Sequence, residues 1–408
     1  MQSEKNVADL GPSYRTLILI SCAVGLGCYT AAYMRIPILP LYARSLGAGT
    51  IEIGLINSLF MLAAGGFSLP LGIISDRLGR KRLVLAGLMI SALSSLLLTF
   101  SRTSPQMMII YVFAGIGLAA FSPTMMSFVA DFSPITHLGR SYGWYTMAMY
   151  GGMSLGPTIG GFFAYLLGYE WVFTISAILG FIVFLIALFS FPGQSPAHPH
   201  GSRKRGNRKI IRELLGNRPL LACWLVTLFS CFGLGVFITF QPLHASDQGI
   251  GVGKIGLIFA TQAIVNSLGR IPFGYLSDRV PDRSNLVLWG LLGYSASIAG
   301  IGLSTSLAMF IVSAFAMGIG MGIAFTAVGA LISELVPADS RGFAMGGYNT
   351  CIYTGMMLSA LIMGAVAGRF GFRACFLITA GLIAVGALAF SFIFQHISVE
   401  NRALSKSS

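Results

Sequence analysis

Two arginines stand in otherwise apolar runs: Arg35, between Met34 and Ile36, and Arg270, in the sequence Gly269, Arg270, Ile271, Pro272. A guanidinium keeps its charge at any ordinary pH, so among apolar neighbours it has to pair, bind a ligand or reach an interface. Arg35 lies near the outer end of its run, where it either snorkels to the interface or serves a substrate or a gate. Arg270 lies a turn or two from the opposite end of its own run, which favours a structural pairing. The carboxylates are placed differently. None is in the middle of an apolar run: Glu52 and Glu170 begin runs, and Asp131 and Glu334 fall near run ends, which makes the latter two the candidates for carrying a coupled proton. Six cysteines, Cys22, Cys28, Cys223, Cys231, Cys351 and Cys375, include no CxxC pair and no histidine at ligand spacing, so they read as small interior residues. His198 and His200 fall in a Pro-rich segment and read as linker. No metal and no cofactor is expected, and no nucleophile, acid and base set appears, so the chain is not expected to be an enzyme.

The elements that hold these residues are membrane spans. The 408 residues are 55% hydrophobic and 10% charged, with a mean hydropathy of +0.80, more apolar surface than one water-soluble core can bury. The apolar residues come in blocks of about 20, the length that crosses roughly 30 Å of hydrocarbon. Twelve blocks are read: 16–42, 50–74, 83–101, 107–129, 141–166, 170–192, 219–243, 252–276, 285–304, 308–330, 343–366 and 372–396. The formal charge of +13 follows these blocks rather than marking a nucleic-acid surface. With the N-terminus in the cytoplasm, 19 of the 26 Lys and Arg residues are cytoplasmic, and Arg44, Arg102, Lys254, Arg369 and Arg373 lie on the other side. The positive-inside rule then puts both termini in the cytoplasm of a multi-pass protein of the plasma (bacterial inner) membrane.

The chain divides into an N-terminal six-helix bundle (1–192), a basic cytoplasmic linker (193–218) and a C-terminal six-helix bundle (219–408). The two halves repeat one another. At an offset of 202, Pro40, Leu41, Ala43, Gly47 and Gly49 match Pro242, Leu243, Ala245, Gly249 and Gly251, and Pro70, Gly72, Ser75, Asp76 and Arg77 match Pro272, Gly274, Ser277, Asp278 and Arg279. Near 203, Asp131 and Pro134 match Glu334 and Pro337. An even number of spans per half makes the repeats parallel, related by an axis along the membrane normal, and two such bundles can rock about a central site.

The run from Gly72 through Asp76, Arg77, Gly79, Arg80, Lys81 and Arg82 resembles the loop between the second and third helices of the major facilitator superfamily, often written GxxxDRxGRRK. The resemblance covers essentially the whole chain and implies an all-α membrane protein of twelve transmembrane helices in two bundles. It also implies a gating role for Gly72, Asp76, Arg77, Gly79, Arg80 and Lys81, echoed at Gly274, Asp278 and Arg279, in a charge network that holds the outward-facing state. In the fifth span, Gly143, Gly152, Gly156, Pro157, Gly160 and Gly161 resemble the glycine–proline motif of the drug:proton antiporter group, against the plainer reading of close helix packing. One feature of that group is missing: Tyr111 stands where an arginine of the fourth helix would fall.

By the same resemblance a central cavity is lined from the first, fourth, seventh and tenth spans with help from the fifth, eighth and eleventh. Its candidates are Tyr29, Tyr33, Met34, Arg35, Met125, Met126, Tyr145, Met149, Phe237, Gln241, Gln262, Asn266, Tyr348, Asn349 and Tyr353. Aromatic and Met side chains among a few amides suit adaptable binding of amphipathic molecules. The expected protein is a secondary active transporter working by alternating access, an exporter of drug-like or amphipathic small molecules. Its alternatives are a carrier of a specific metabolite, such as a sugar or siderophore, and a non-transporting membrane receptor. Its expected partners are a small-molecule substrate, the lipid bilayer and protons, with no nucleic acid, and it is expected to act as a monomer.

Overall fold

The computed structural model describes residues 14–134, 137–192, 214–280, 282–337 and 340–407, and at 76, 77, 271, 278 and 395–407 it describes the backbone alone. The linker as far as 213, with His198 and His200, lies outside the described residues, as do the side chains of Asp76, Arg77 and Asp278.

Every long element among the described residues is a helix. The first span is α1 (Tyr14–Met34) and α2 (Ile38–Ser45), separated by a turn at 35–37. Pro37 has no amide hydrogen to give the preceding turn, and the Arg35 carbonyl instead accepts from Ile38 and Leu39. There follow α3 (Thr50–Leu78), α4 (Arg80–Phe100), α5 (Ser104–Phe132), α6 (Leu138–Leu167) and α7 (Tyr169–Ser190). The second set begins with α8 (Arg218–Asp247), α9 (Val252–Arg279), α10 (Arg283–Leu303) and α11 (Leu307–Leu335). A last helical run, Arg341–Ser407, breaks at Gly371 (φ 79°, ψ 168°) into α12 (341–370) and α13 (372–407).

Ten helical stretches among the described residues are long and apolar enough to cross a membrane. One of them, Arg341–Phe394, has 54 residues and would be about 80 Å long if straight, so with the break at Gly371 it accounts for two crossings. Between two spans lies α6, which at 30 residues is equally long but diluted by seven glycines. The described helices therefore match the twelve blocks of the sequence.

The ends of the helices define two faces. The basic face carries the start of α1 and the α3–α4, α5–α6, α9–α10 and α11–α12 connections; the far face carries the rest. Four of the five positive-φ glycines make far-face turns, Gly47 and Gly168 in the first set and Gly249 and Gly371 at the equivalent positions of the second. The repeat thus extends to the backbone, since only glycine adopts this region without strain.

Packing repeats as well. Gly87 of α4 meets Gly117 and Phe121 of α5, and 203 residues later Gly290 of α10 meets Gly320 and Ala324 of α11. Gly115 sits against α3 and Gly318 against α9 in the same way. Small residues let these backbones approach where lipid provides no hydrophobic drive between helices.

The two sets of helices meet along two seams, α3 with α12 and α6 with α9. Both seams are tight towards the far face. A methyl group at Gly54 would collide with the Ala360 carbonyl, and one at Gly256 with the Pro157 carbonyl. Thr50 Oγ1 donates to Gly364 O (2.8 Å) and Ser58 Oγ to Met357 O (2.9 Å). Arg44 at the end of α2 pairs with Asp247 at the end of α8 across the two sets (2.6 Å). Towards the basic face the same helices part: Gly72, Gly143, Gly274 and Gly346 face open space. The molecule is closed at the far face and open at the basic face.

Candidate functional site: a central cavity and its flanking ion pairs

Between the two sets of helices lies a cavity of about 690 Å³. Ten of the sequence candidates line it: Tyr29, Tyr33, Arg35, Met149, Phe237, Gln262, Asn266, Tyr348, Asn349 and Tyr353. Five do not, each for a geometric reason. Met34 follows Tyr33 by 100° around α1 and is fully buried, with its backbone against Gly156 and Gly160 of α6. Met125 and Met126 lie a turn below the cavity stripe of α5, where Met125 is fully buried beside Phe128 and Val129 and Met126 packs against that cluster. The Tyr145 ring fills the space over Gly25. Gln241 is one turn beyond Phe237 towards the closed far face, fully buried, with neither amide atom hydrogen-bonded.

The cavity also takes in residues that were not candidates: Asn57, Phe60 and Met61 of α3, Tyr111 of α5, Tyr150 of α6, and Phe259 and Arg270 of α9. Asn57, a lone amide inside an apolar span, was the available signal for α3. Cys28 and Cys231, expected only as interior packing, border the cavity too. Tyr29 Oη donates to Ser122 Oγ (2.9 Å), which fixes its ring edge-on to Phe121.

The two arginines differ in their surroundings. Arg35 does not snorkel: it is 3% exposed, at the turn between α1 and α2, and its Nε and Nη1 are buried without a partner. Tyr111 is within electrostatic reach of it. Tyr111, which stands where the resemblance expects an arginine, thus lines the same cavity as a guanidinium from the first span. Arg270 has partners, with its guanidinium 4.0 Å from the ring centroid of Tyr150 across the α6–α9 seam and Nε donating to Asn266 Oδ1 (3.4 Å).

Around the basic face the coupling and gating candidates form pairs. Arg80, the first residue of α4, pairs with Asp131 near the end of α5, with little of either side chain exposed. Gly79 (φ 92°) makes the tight turn that puts Arg80 there, and Lys81 Nζ donates to the Phe191 carbonyl at the end of α7 (2.5 Å). In the second set Arg283 pairs with Glu334 (2.6 Å) and its Nε donates to Ser277 O (3.1 Å). Gly72 and Gly274 have no neighbour on the open side, and Arg279 is exposed. On the far face Arg102 pairs with Glu170, a hydrogen bond that raises the arginine pKa further.

The fifth-span motif is divided among three surroundings. Gly152, Gly156 and Gly160, one turn apart, pack against the backbone of α1 from Leu26 to Met34; Pro157 and Gly161 pack against α9 in the other set; Gly143 faces open space.

A family model described as Major Facilitator Superfamily matches residues 21–252 and 223–407. The chain belongs to the Major Facilitator Superfamily. It is 28% identical over 357 residues to an uncharacterised transporter of this superfamily from Methanocaldococcus jannaschii, covering 85% of this chain and 92% of that one. It is 24% identical over 357 residues to the quinolone resistance protein NorA of Staphylococcus aureus, covering 86% and 88%. Among solved structures, a bacterial homologue of the human lysosomal transporter Spinster, inward-facing and unoccupied, superposes with a TM-score of 0.80 at 16% identity, over 96% of this chain and 98% of that one. The nucleoside transporter NupG does so with a TM-score of 0.78 at 16% identity, over 93% and 99%. For this superfamily member the cavity and the two seams are a membrane transport architecture.

Proposed function

We propose that the chain is a secondary active transporter that exports amphipathic small molecules by alternating access. The observation that carries this reading is the cavity itself: it lies between the two repeats, is open at one face and closed at the other, and offers aromatic rings, methionines and a few amides rather than a rigid polar mould. Closure rests on small-residue seams and on a half-exposed ion pair, Arg44 with Asp247, contacts weak enough to be exchanged for their counterparts at the basic face. With the basic face in the cytoplasm, as the charge distribution favours, the open side takes its cargo from the cell interior. Export is supported by the glycine–proline motif of α6 and by a relative named for quinolone resistance. Asp131 and Glu334 remain the coupling candidates, and because each is held by an arginine, any dependence on a proton gradient is expected to be weak.

The test is flux in proteoliposomes across a panel of amphipathic compounds, with and without an imposed pH gradient. Saturable transport of several compounds is expected, with at most a few-fold gain from the gradient, and the Asp131→Asn, Glu334→Gln double variant should lose that gain. No saturable flux of any amphipath, or flux confined to one polar metabolite, would replace this reading with that of a specific carrier.

A further inference from the structure

We infer that the closed end of the cavity is an anion subsite built on Arg35, so that the molecules carried are amphipathic anions bearing a carboxylate, sulfonate or phosphate group. This rests on the transport reading of the same cavity and names its substrate class. A guanidinium has five N–H donors in a planar fork, and in Arg35 two of the three nitrogens are buried with no acceptor. A buried charge in that state is costly unless something supplies the opposite charge, and none of the described side chains does. Among the described residues no Asp or Glu lines the cavity. Of the described carboxylates near the spans, Asp131 is committed to Arg80, Glu334 to Arg283, Asp247 to Arg44 and Glu170 to Arg102. Glu52 is held by the Gly49 amide and by Ser104. The missing acceptor therefore comes from the cargo.

The surroundings of Arg35 fit that role. Tyr111 and Asn57 bring neutral polar groups to the cavity on the neighbouring helices, and Phe60, Met61 and Phe237 bring apolar surface. An anion with an aromatic or aliphatic body would set its charge on the guanidinium fork, whose geometry matches carboxylates, sulfonates and phosphates, and its body on those side chains. The only other charged residue lining the cavity among the described residues is also cationic, Arg270, so a cationic cargo would meet two positive charges and no negative one. Arg270, a few turns nearer the basic face, adds to the field that draws an anion inwards.

The test uses three molecules of matched body and fixed charge: naphthalene-2-sulfonate, the neutral naphthalene-2-sulfonamide and the N,N,N-trimethyl-2-naphthylammonium cation. Binding to the purified full-length protein in detergent is measured by equilibrium dialysis, and flux is measured in proteoliposomes. The wild type is expected to bind the sulfonate at least tenfold more tightly than either of the others. Arg35→Gln should lower that affinity about 10- to 100-fold, the range for losing a hydrogen-bonded charge, and Arg35→Lys should fall between. Because Arg35 is unpaired without ligand, Arg35→Gln should melt no lower than the wild type in the absence of sulfonate and should lose the rise in melting temperature that sulfonate gives the wild type. Tighter binding of the cation, or unchanged sulfonate binding in Arg35→Gln together with a lowered melting temperature, would make Arg35 a structural residue and overturn the subsite. Sulfonate binding that depends on Arg35 without saturable flux would uphold the subsite and remove the transport reading instead. Displacement of bound sulfonate by octanesulfonate indicates a soluble anion as cargo, displacement by lysophosphatidylglycerol alone indicates a single-chain lipid, and displacement by neither contradicts the proposal.

Discussion

Arg80 with Asp131 and Arg283 with Glu334 are the same pair written twice, 203 residues apart, yet they sit in different media. In the first set of helices the Asp131 side chain is 6% exposed; in the second, Glu334 is 56% exposed. The difference begins with the turn. Gly79 takes a positive φ and starts α4 immediately, pressing Arg80 against the end of α5, whereas the second set passes through an extended Val280 and starts α10 from Asp282, whose carboxylate accepts from the Ser284 amide. A repeat duplicates the path of the chain and leaves the energetics of each copy free to diverge. The carboxylate of the first set's pair is nearly buried at the basic face, and that of the second set's pair is largely open to solvent.

The contrast is sharpest in single substitutions. Asp131→Asn removes the carboxylate of the pair with Arg80 in a nearly buried place, where breaking a pair costs about 3–5 kcal/mol, so a large drop in melting temperature is expected. Glu334→Gln should cost no more than about 1 kcal/mol, as exposed pairs do. Equal shifts for the two variants, measured by thermal unfolding in detergent, would erase the asymmetry. A second contrast lies within α6. Gly156→Val drives a branched side chain into the backbone of α1 and is expected to cost about 1–3 kcal/mol and to lower the yield of folded protein. Gly143→Ala enters open space and should change stability by no more than about 0.5 kcal/mol. If the open space at Gly143 closes in the other state, that variant will slow transport without altering stability.

The architecture was legible because lipid makes its demands on sequence directly: span length, basic loops and the glycine turns at Gly47 and Gly249 are all local. The cavity was legible by helix face and less so by depth. Phe237 and Gln241 share a stripe of α8, as Tyr145 and Met149 share one of α6, and periodicity alone does not say at which turn the two sets of helices come together and shut the cavity off. Arg35 shows the same limit, since its place near the end of an apolar run left both an interface and a cavity open to it. The partner of Arg80 is a tertiary fact. Nothing in the run around Asp131 says that a residue 51 positions earlier will reach it, although the reappearance of Arg283 and Glu334 at the same separation is a signal the repeat contained.

Alternation between the two faces is the central claim, and the α3–α12 seam allows it to be tested without knowing the natural cargo. Thr50 and Gly368 face each other across that seam at the far face, close enough for a disulfide between their β-carbons. In a background lacking the six native cysteines, Thr50→Cys with Gly368→Cys should cross-link on oxidation and hold the far face shut. Saturable flux of naphthalene-2-sulfonate in proteoliposomes should then fall to the background of empty vesicles and return on reduction. Undiminished flux through the fully cross-linked protein would contradict the account, because cargo would be crossing while the seam that must open stays closed.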